Sequence, residues 1–123
     1  MEWTIEYLES EDAVLLKTSG DVSWDEHWQS CKEALDCARE HNTNKFFADH
    51  RDLKPGLTIL QIDDMPQRFR EMGIGIDGRI AVLYDPSNER DFKFFQSVAN
   101  IASLNFKIFT DKDKAMAWLK SDR

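Results

Sequence analysis

The stretch His50-Arg51-Asp52-Leu53-Lys54-Pro55 carries residue types that could move a proton or hold a phosphate. Its spelling matches the protein-kinase catalytic loop, in which the Asp accepts the proton of the substrate hydroxyl. Further on, Gly73, Gly75 and Gly78 spell GxGxxG, the pattern of a phosphate-covering or dinucleotide-binding loop. Context removes both matches. A kinase loop needs an Asn five residues after the Asp, and Leu57 stands there. The Gly-rich segment also follows the His-Arg-Asp segment, whereas a kinase places it before. A dinucleotide site needs its glycines after a strand and at the start of a helix. Here they leave a helical pattern and enter a strand, so Gly73 reads as a helix C-terminal residue.

The chemistry that remains is concentrated at Asp49, His50, Arg51, Asp52, Lys54 and Thr58. These residues read as a strand-end loop after the third strand, the place where parallel α/β sheets bind ligands. Two carboxylates, an imidazole, a guanidinium, an ammonium and a hydroxyl suit a small polar or anionic ligand, or a docking loop for a partner. The same residues also read as an ordinary strand-end turn. In that reading Asp49 or Asp52 bonds loop amides, Arg51 pairs with an acid, and Thr58 caps the next helix with Gln61. Acid–base catalysis by Asp49 and Asp52 is the enzymatic alternative, with nothing but proximity behind it. No metal is expected, because neighbours on a strand point to opposite faces and no second His–carboxylate cluster exists. His27 and His41 fall on the first helix, one on its charged side and one at its C-terminal end. No serine elbow is present and neither Cys has an apparent base, so no covalent catalysis and no cofactor are expected.

The elements that must position these residues follow from periodicity. Trp3, Ile5 and Tyr7 alternate with Glu2, Thr4 and Glu6, a half-buried strand. Ala13–Gly20 is a second strand, and the short polar connection predicts an antiparallel hairpin. The period then changes: Ser23 can cap with Glu26, and Trp24, Trp28, Cys31, Leu35 and Ala38 share a helical face. Lys45–Asp49 is a short apolar strand. Ile59, Ile62, Phe69 and Met72 form the stripe of a second helix, which Pro66 should kink near Met65. Arg79–Tyr84 is a buried strand, and a helix capped by Asn88 presents Phe92, Phe95, Ala99 and Ala102. Asn105–Phe109 is the last strand, followed by a helix that Thr110 and Asp113 would cap. The order ββαβαβαβα predicts one α/β domain over residues 1–123, with a mixed, mostly parallel five-stranded sheet and an N-terminal antiparallel hairpin.

Composition bounds the function. A chain of 123 residues is too short for the two lobes of a kinase. The net charge of −7 repels phosphate backbones and anionic head groups. No nucleic-acid partner is therefore expected, and at most a peripheral, transient membrane contact. No apolar run approaches about 20 residues, and the opening residues lack the pattern of a signal peptide. Cys31 and Cys37 lie six apart on one helix, rotated roughly 240° from each other, too far round for a disulfide. Reduced packing cysteines in a cytoplasmic protein are the expectation.

The hairpin running from Trp3 to Ser23, the strand end Ala48–Thr58, the segment Gly78–Asp85 and the terminal Ile108–Leu119 together resemble the STAS domain. They resemble more closely the SpoIIAA-like family of small stand-alone proteins. The likeness covers the whole chain and lies in hydrophobic pattern more than in fixed polar residues. It implies a non-enzymatic regulatory or ligand-binding module. Ile62 and Phe69 would then line a pocket under a mobile second helix, beside Asp49, His50, Arg51, Asp52 and Thr58. Such relatives look like binders of apolar or amphipathic ligands. A regulatory protein partner and a homodimer are also compatible with it. Anti-sigma-factor antagonists of this type carry a phosphorylated Ser in an Asp-Ser-Ser-Gly segment. Here Lys54-Pro55-Gly56-Leu57-Thr58 stands in that region, so Thr58 is the nearest hydroxyl for a phospho-switch and the surrounding motif is missing.

Overall fold

The computed structural model describes residues 1–121. Strands β1 (Glu2–Leu8), β2 (Ala13–Asp21), β3 (Lys45–Lys54), β4 (Arg79–Leu83) and β5 (Phe106–Phe109) form one sheet in the order β1-β2-β3-β4-β5. β1 is antiparallel to β2 and the other neighbours are parallel. The α/β class, the hairpin and the five-stranded mixed sheet all match the expectation. Helices α1 (Trp24–Glu40), α2 (Ile59–Met72) and α3 (Glu89–Ile101) connect the parallel strands, and α4 (Lys112–Lys120) ends the chain. Because the strand order is sequential, crossovers of one hand place α1, α2 and α3 on the same face of the sheet. On that face Val14, Phe46, Ala48, Ile80, Val82 and Phe106 pack against the three helices. The opposite face carries Ala13, Phe47, Ala81 and Leu83 against Ala115 and Leu119 of α4. No helix among the described residues is long and apolar enough to cross a membrane.

Local chemistry explains most of the boundaries. Ser23 accepts from the Glu26 amide at the start of α1. Thr58 and Gln61 form a complete capping box on α2: the Gln61 amide donates to Thr58 Oγ1 at 3.1 Å, and the Thr58 amide donates to Gln61 Oε1 at 2.9 Å. At the other end Gly73 sits in the left-handed region, φ 80°, and closes the helix. Gly78 is required by a close approach, since a Cβ there would lie 1.8 Å from the Asn44 carbonyl oxygen. The glycine pattern is therefore a helix stop and a strand entry, with no phosphate loop.

Three expectations are corrected. Asp85 caps a short 3₁₀ turn, Pro86–Asn88, ahead of α3, and the Asn88 side chain makes no capping bond. Asp111, one residue after Thr110, caps α4 by accepting from the Asp113 and Lys114 amides. In α2 the Ile59 side chain is 66% exposed, so it leaves the inner stripe, which Ile62, Met65, Pro66 and Phe69 supply instead. The helix runs unbroken through Pro66; the missing N–H deprives one carbonyl, that of Ile62, of its partner.

α2 is loosely tied. Its backbone comes close to α3 and otherwise approaches no element extensively. Side chains bridge the gap: Trp28 and Phe69 rings meet at 5.2 Å, and the Arg68 guanidinium lies 5.1 Å from the Trp24 ring and 5.7 Å from Trp28. At the edge of the sheet, two amides of β5 are satisfied within the chain. Phe106 donates to the Leu104 carbonyl and Ile108 donates to Gln96 Oε1 from α3, both at 2.9 Å.

Candidate functional site

β3 is longer than its apolar run suggests. It continues through Asp49-His50-Arg51-Asp52 to Lys54, so these four residues lie in the sheet and form no strand-end loop. The physical reason is the neighbour: β2 offers hydrogen bonds along its whole length, and polar side chains can extend a strand whose backbone is paired. Between the pairs Lys17–Asp49 and Ser19–Asp52, β3 carries one residue more than β2, a bulge over His50–Arg51. The bulge resets the alternation. His50 and Leu53, three apart, consequently both line the space under α1, α2 and α3.

The residues singled out from sequence therefore separate. Asp49 is bound by its neighbour two residues on. Arg51 Nε donates to Oδ1 at 3.0 Å, its terminal nitrogen donates to Oδ2 at 2.8 Å, and its amide donates to Oδ1 at 3.2 Å. Burial alone would raise the Asp49 carboxyl, but the Arg51 hydrogen bonds outweigh it and hold the carboxyl below its ordinary value. Three of the four lone-pair positions of this carboxylate are taken up by Arg51. Asp52 is exposed and borders a shallow polar groove with Met1, Lys17 and Glu26. Thr58 is exposed at the start of α2. His50, Ile62 and Phe69 are brought together, all three lining one cavity.

That cavity has a volume of about 130 Å³ and lies between the sheet and the three helices. Ala34 and Cys31 of α1, Ala48 of β3, and Phe92 and Phe95 of α3 contribute to its wall. Its polar groups are few: His27, His50 and the α3 residue Asp91. His50 is 8% exposed and its Nδ1 lies 2.6 Å from Thr18 Oγ1 on β2. Its ring stacks on Phe92 with centroids 6.3 Å apart. Burial lowers its pKa to about 4, against the opposing pull of the Asp49 charge. His27 is 6% exposed, with Nε2 3.6 Å from Cys31 Sγ. Burial, and then the charge that His50 would carry, lower it to about 3. The Cys31 thiol is pushed up to about 12 by burial, so it is no thiolate. At neutral pH the cavity is uncharged at both imidazoles and at the thiol.

His27 was assigned above to the charged side of α1, and the structure buries it. The signal was present in the spacing His27, Cys31, Ala34, Ala38, an i, i+4, i+7, i+11 stripe that competes with the tryptophan stripe one position away. His41 does cap the C-terminal end of α1, with Nδ1 2.9 Å from the Cys37 carbonyl and its ring stacked on Tyr7. Both cysteines are free. No group of three or more His, Cys, Asp or Glu side chains is placed to hold a metal among the described residues.

No family model matches the chain, and no curated protein matches it. The fold does have a counterpart among solved structures: an uncharacterized protein of the DUF3478 family with a SpoIIAA-like fold, from Shewanella loihica PV-4. The two superpose with a TM-score of 0.63 over 96% of this chain and 92% of the other, at 18% identity. The domain thus has the SpoIIAA-like fold that its hydrophobic pattern resembles.

Proposed function

We propose that this protein is a non-enzymatic binding module that takes a small apolar or amphipathic ligand between its sheet and α1, α2 and α3. The observation that carries the reading is the apolar cavity of about 130 Å³. Two of its walls are alanines, Ala34 and Ala48, whose small side chains leave the space open. A dry apolar cavity of about 150 Å³ in another protein admits benzene, so a single ring or a short branched chain is the right scale here. The occupied Asp49 carboxylate and the protonated Cys31 thiol support binding over catalysis.

Titration of ¹⁵N-labelled protein with toluene tests the reading. Amides of Ile62, Phe69 and Phe95 should shift saturably, and those of α4 on the far face should not. Absence of saturable shifts at the cavity rules the reading out.

A phospho-regulated switch at Thr58 is a second reading, favoured by the exposure of that residue at the N-terminus of α2. A phosphate there would meet the free amides of the first turn. Thr58→Asp should then change the affinity for a cavity ligand several-fold. Equal affinities of Thr58→Asp and wild type would exclude it.

A further inference from the structure

One wall of the cavity is attached differently from the others. α1 lies along β1 and β2, and α3 lies along β5, in each case with backbones close together. α2 supplies Ile62, Met65 and Phe69 to the cavity, yet its backbone runs extensively close only to α3. The seam between α1 and α2 is therefore closed by side chains. Phe69 forms the inner layer, its ring centroid 5.2 Å from that of Trp28 and 6.3 Å from that of His27. Arg68, half-exposed, forms the outer layer. Trp24 and Trp28 stand edge to face, 5.5 Å apart and at 88°, and make a corner. The Arg68 guanidinium lies over both rings, 5.1 Å from the Trp24 centroid and 5.7 Å from that of Trp28, the range in which an indole attracts a cation. Asp64, one turn earlier on α2, steadies the guanidinium by accepting from Nε at 2.8 Å. Arg68 is not among the residues that line the cavity, so it can govern passage without reshaping the chamber. On the other side of α2, Arg70 donates to the Ala102 carbonyl just past α3, and Phe69 meets Phe95 at 6.1 Å. The α3 side is thus the hinge side and the α1 side the free one.

Resting on the binding reading above, we infer that Arg68 is a clasp: seated in the Trp24–Trp28 corner, it holds α2 against α1 and sets the rate at which the cavity exchanges its ligand. Opening requires the cation to leave both rings while Phe69 parts from Trp28. The clasp acts on passage and leaves affinity alone, because a gate slows entry and exit by the same factor.

Rates of toluene entry and exit are measured by ¹⁵N relaxation dispersion at partial saturation. Arg68→Gln should raise both roughly five-fold, the factor that a surface cation–π contact is worth, with the dissociation constant unchanged. Trp24→Leu, which leaves the Asp64 pair in place, should do the same, and the double variant should add little. Arg70→Gln, on the hinge side, should have no comparable effect. Unchanged rates in Arg68→Gln, additive effects of Arg68→Gln and Trp24→Leu, or equal acceleration by Arg70→Gln would each overturn the clasp while leaving the binding reading in place. If toluene fails to bind wild type, the binding reading falls and hydrogen exchange alone decides the clasp. Amides of α2 must then exchange faster in Arg68→Gln with those of α3 unchanged, and equal protection in variant and wild type overturns it.

Discussion

Lowering the pH from 7 to 5 should destabilise this protein far more than its surface charges would suggest. In the unfolded chain each imidazole takes a proton near pH 6.5. In the folded protein burial holds His27 at about 3 and His50 at about 4. Above 6.5 both states are neutral at these sites and the histidines contribute nothing to the pH dependence. Below it the unfolded chain binds two more protons than the folded one, so stability falls with pH. The slope is about 1.4 kcal/mol per pH unit for each histidine. From pH 6.5 to 5 the pair therefore removes about 3 kcal/mol, a large share of the roughly 5–15 kcal/mol typical of a domain. The loss levels off near pH 4 for His50 and near pH 3 for His27. Burial dominates both, with mutual repulsion deepening His27 and the Asp49 charge partly relieving His50. Urea titrations followed by Trp fluorescence at pH 7.5, 6.5, 5.5 and 5.0 measure the slope, in a window above the ordinary range of Asp and Glu. Each of His27→Phe and His50→Leu should halve it, and the double variant should abolish it. A wild-type midpoint that stays flat from pH 7.5 to 5.0, or a slope untouched by either substitution, would refute the reasoning.

Three other outcomes follow from the same structure. Thr58→Ala should cost roughly 1 kcal/mol in chemical denaturation, and Thr58→Ser or Thr58→Asp much less, because the hydroxyl caps α2. Ala48→Val should raise stability by about 1 kcal/mol by filling cavity space in a strand, and should abolish the toluene-induced shifts. In hydrogen exchange, amides of α2 should exchange well before those of α3. α2 lacks a proline donor at 66 and packs its backbone closely on α3, whereas α3 also packs on β5. Exchange of both helices only with global unfolding would show that α2 is no separate unit.

The frame of the molecule is legible in its sequence because the frame is set by local physics. Alternation in β1, the Thr58–Gln61 box and the Gly73 stop all read correctly, since each depends on residues within one turn or one strand. The site is harder to read for a matching reason. Where β3 ends depends on β2, and no feature of Asp49-His50-Arg51-Asp52 itself reveals that its amides are paired or that a bulge turns His50 and Leu53 to one side. The burial of His27 depends on which of two overlapping stripes of α1 meets the sheet. The inward position of Ile62 and Phe69 is legible because a helix stripe is periodic; Cys31, Phe92 and Phe95 read as packing because a cavity wall and a core wall are made of the same residues.

The two sealed amides of β5 bear on how the protein behaves in a crowd. A terminal strand is ordinarily a template on which another chain can lay a strand of its own. Here Phe106 and Ile108 have their donors taken by Leu104 and by the Gln96 side chain. A newcomer would have to evict Gln96 before it could accept a bond from Ile108. At the far edge, exposed Glu2 and Glu6 on β1 would set like charges facing one another if a second copy approached edge to edge. Replacing Gln96 with Leu would leave the Ile108 donor open, and the chain would then be expected to polymerise sooner on storage at high concentration.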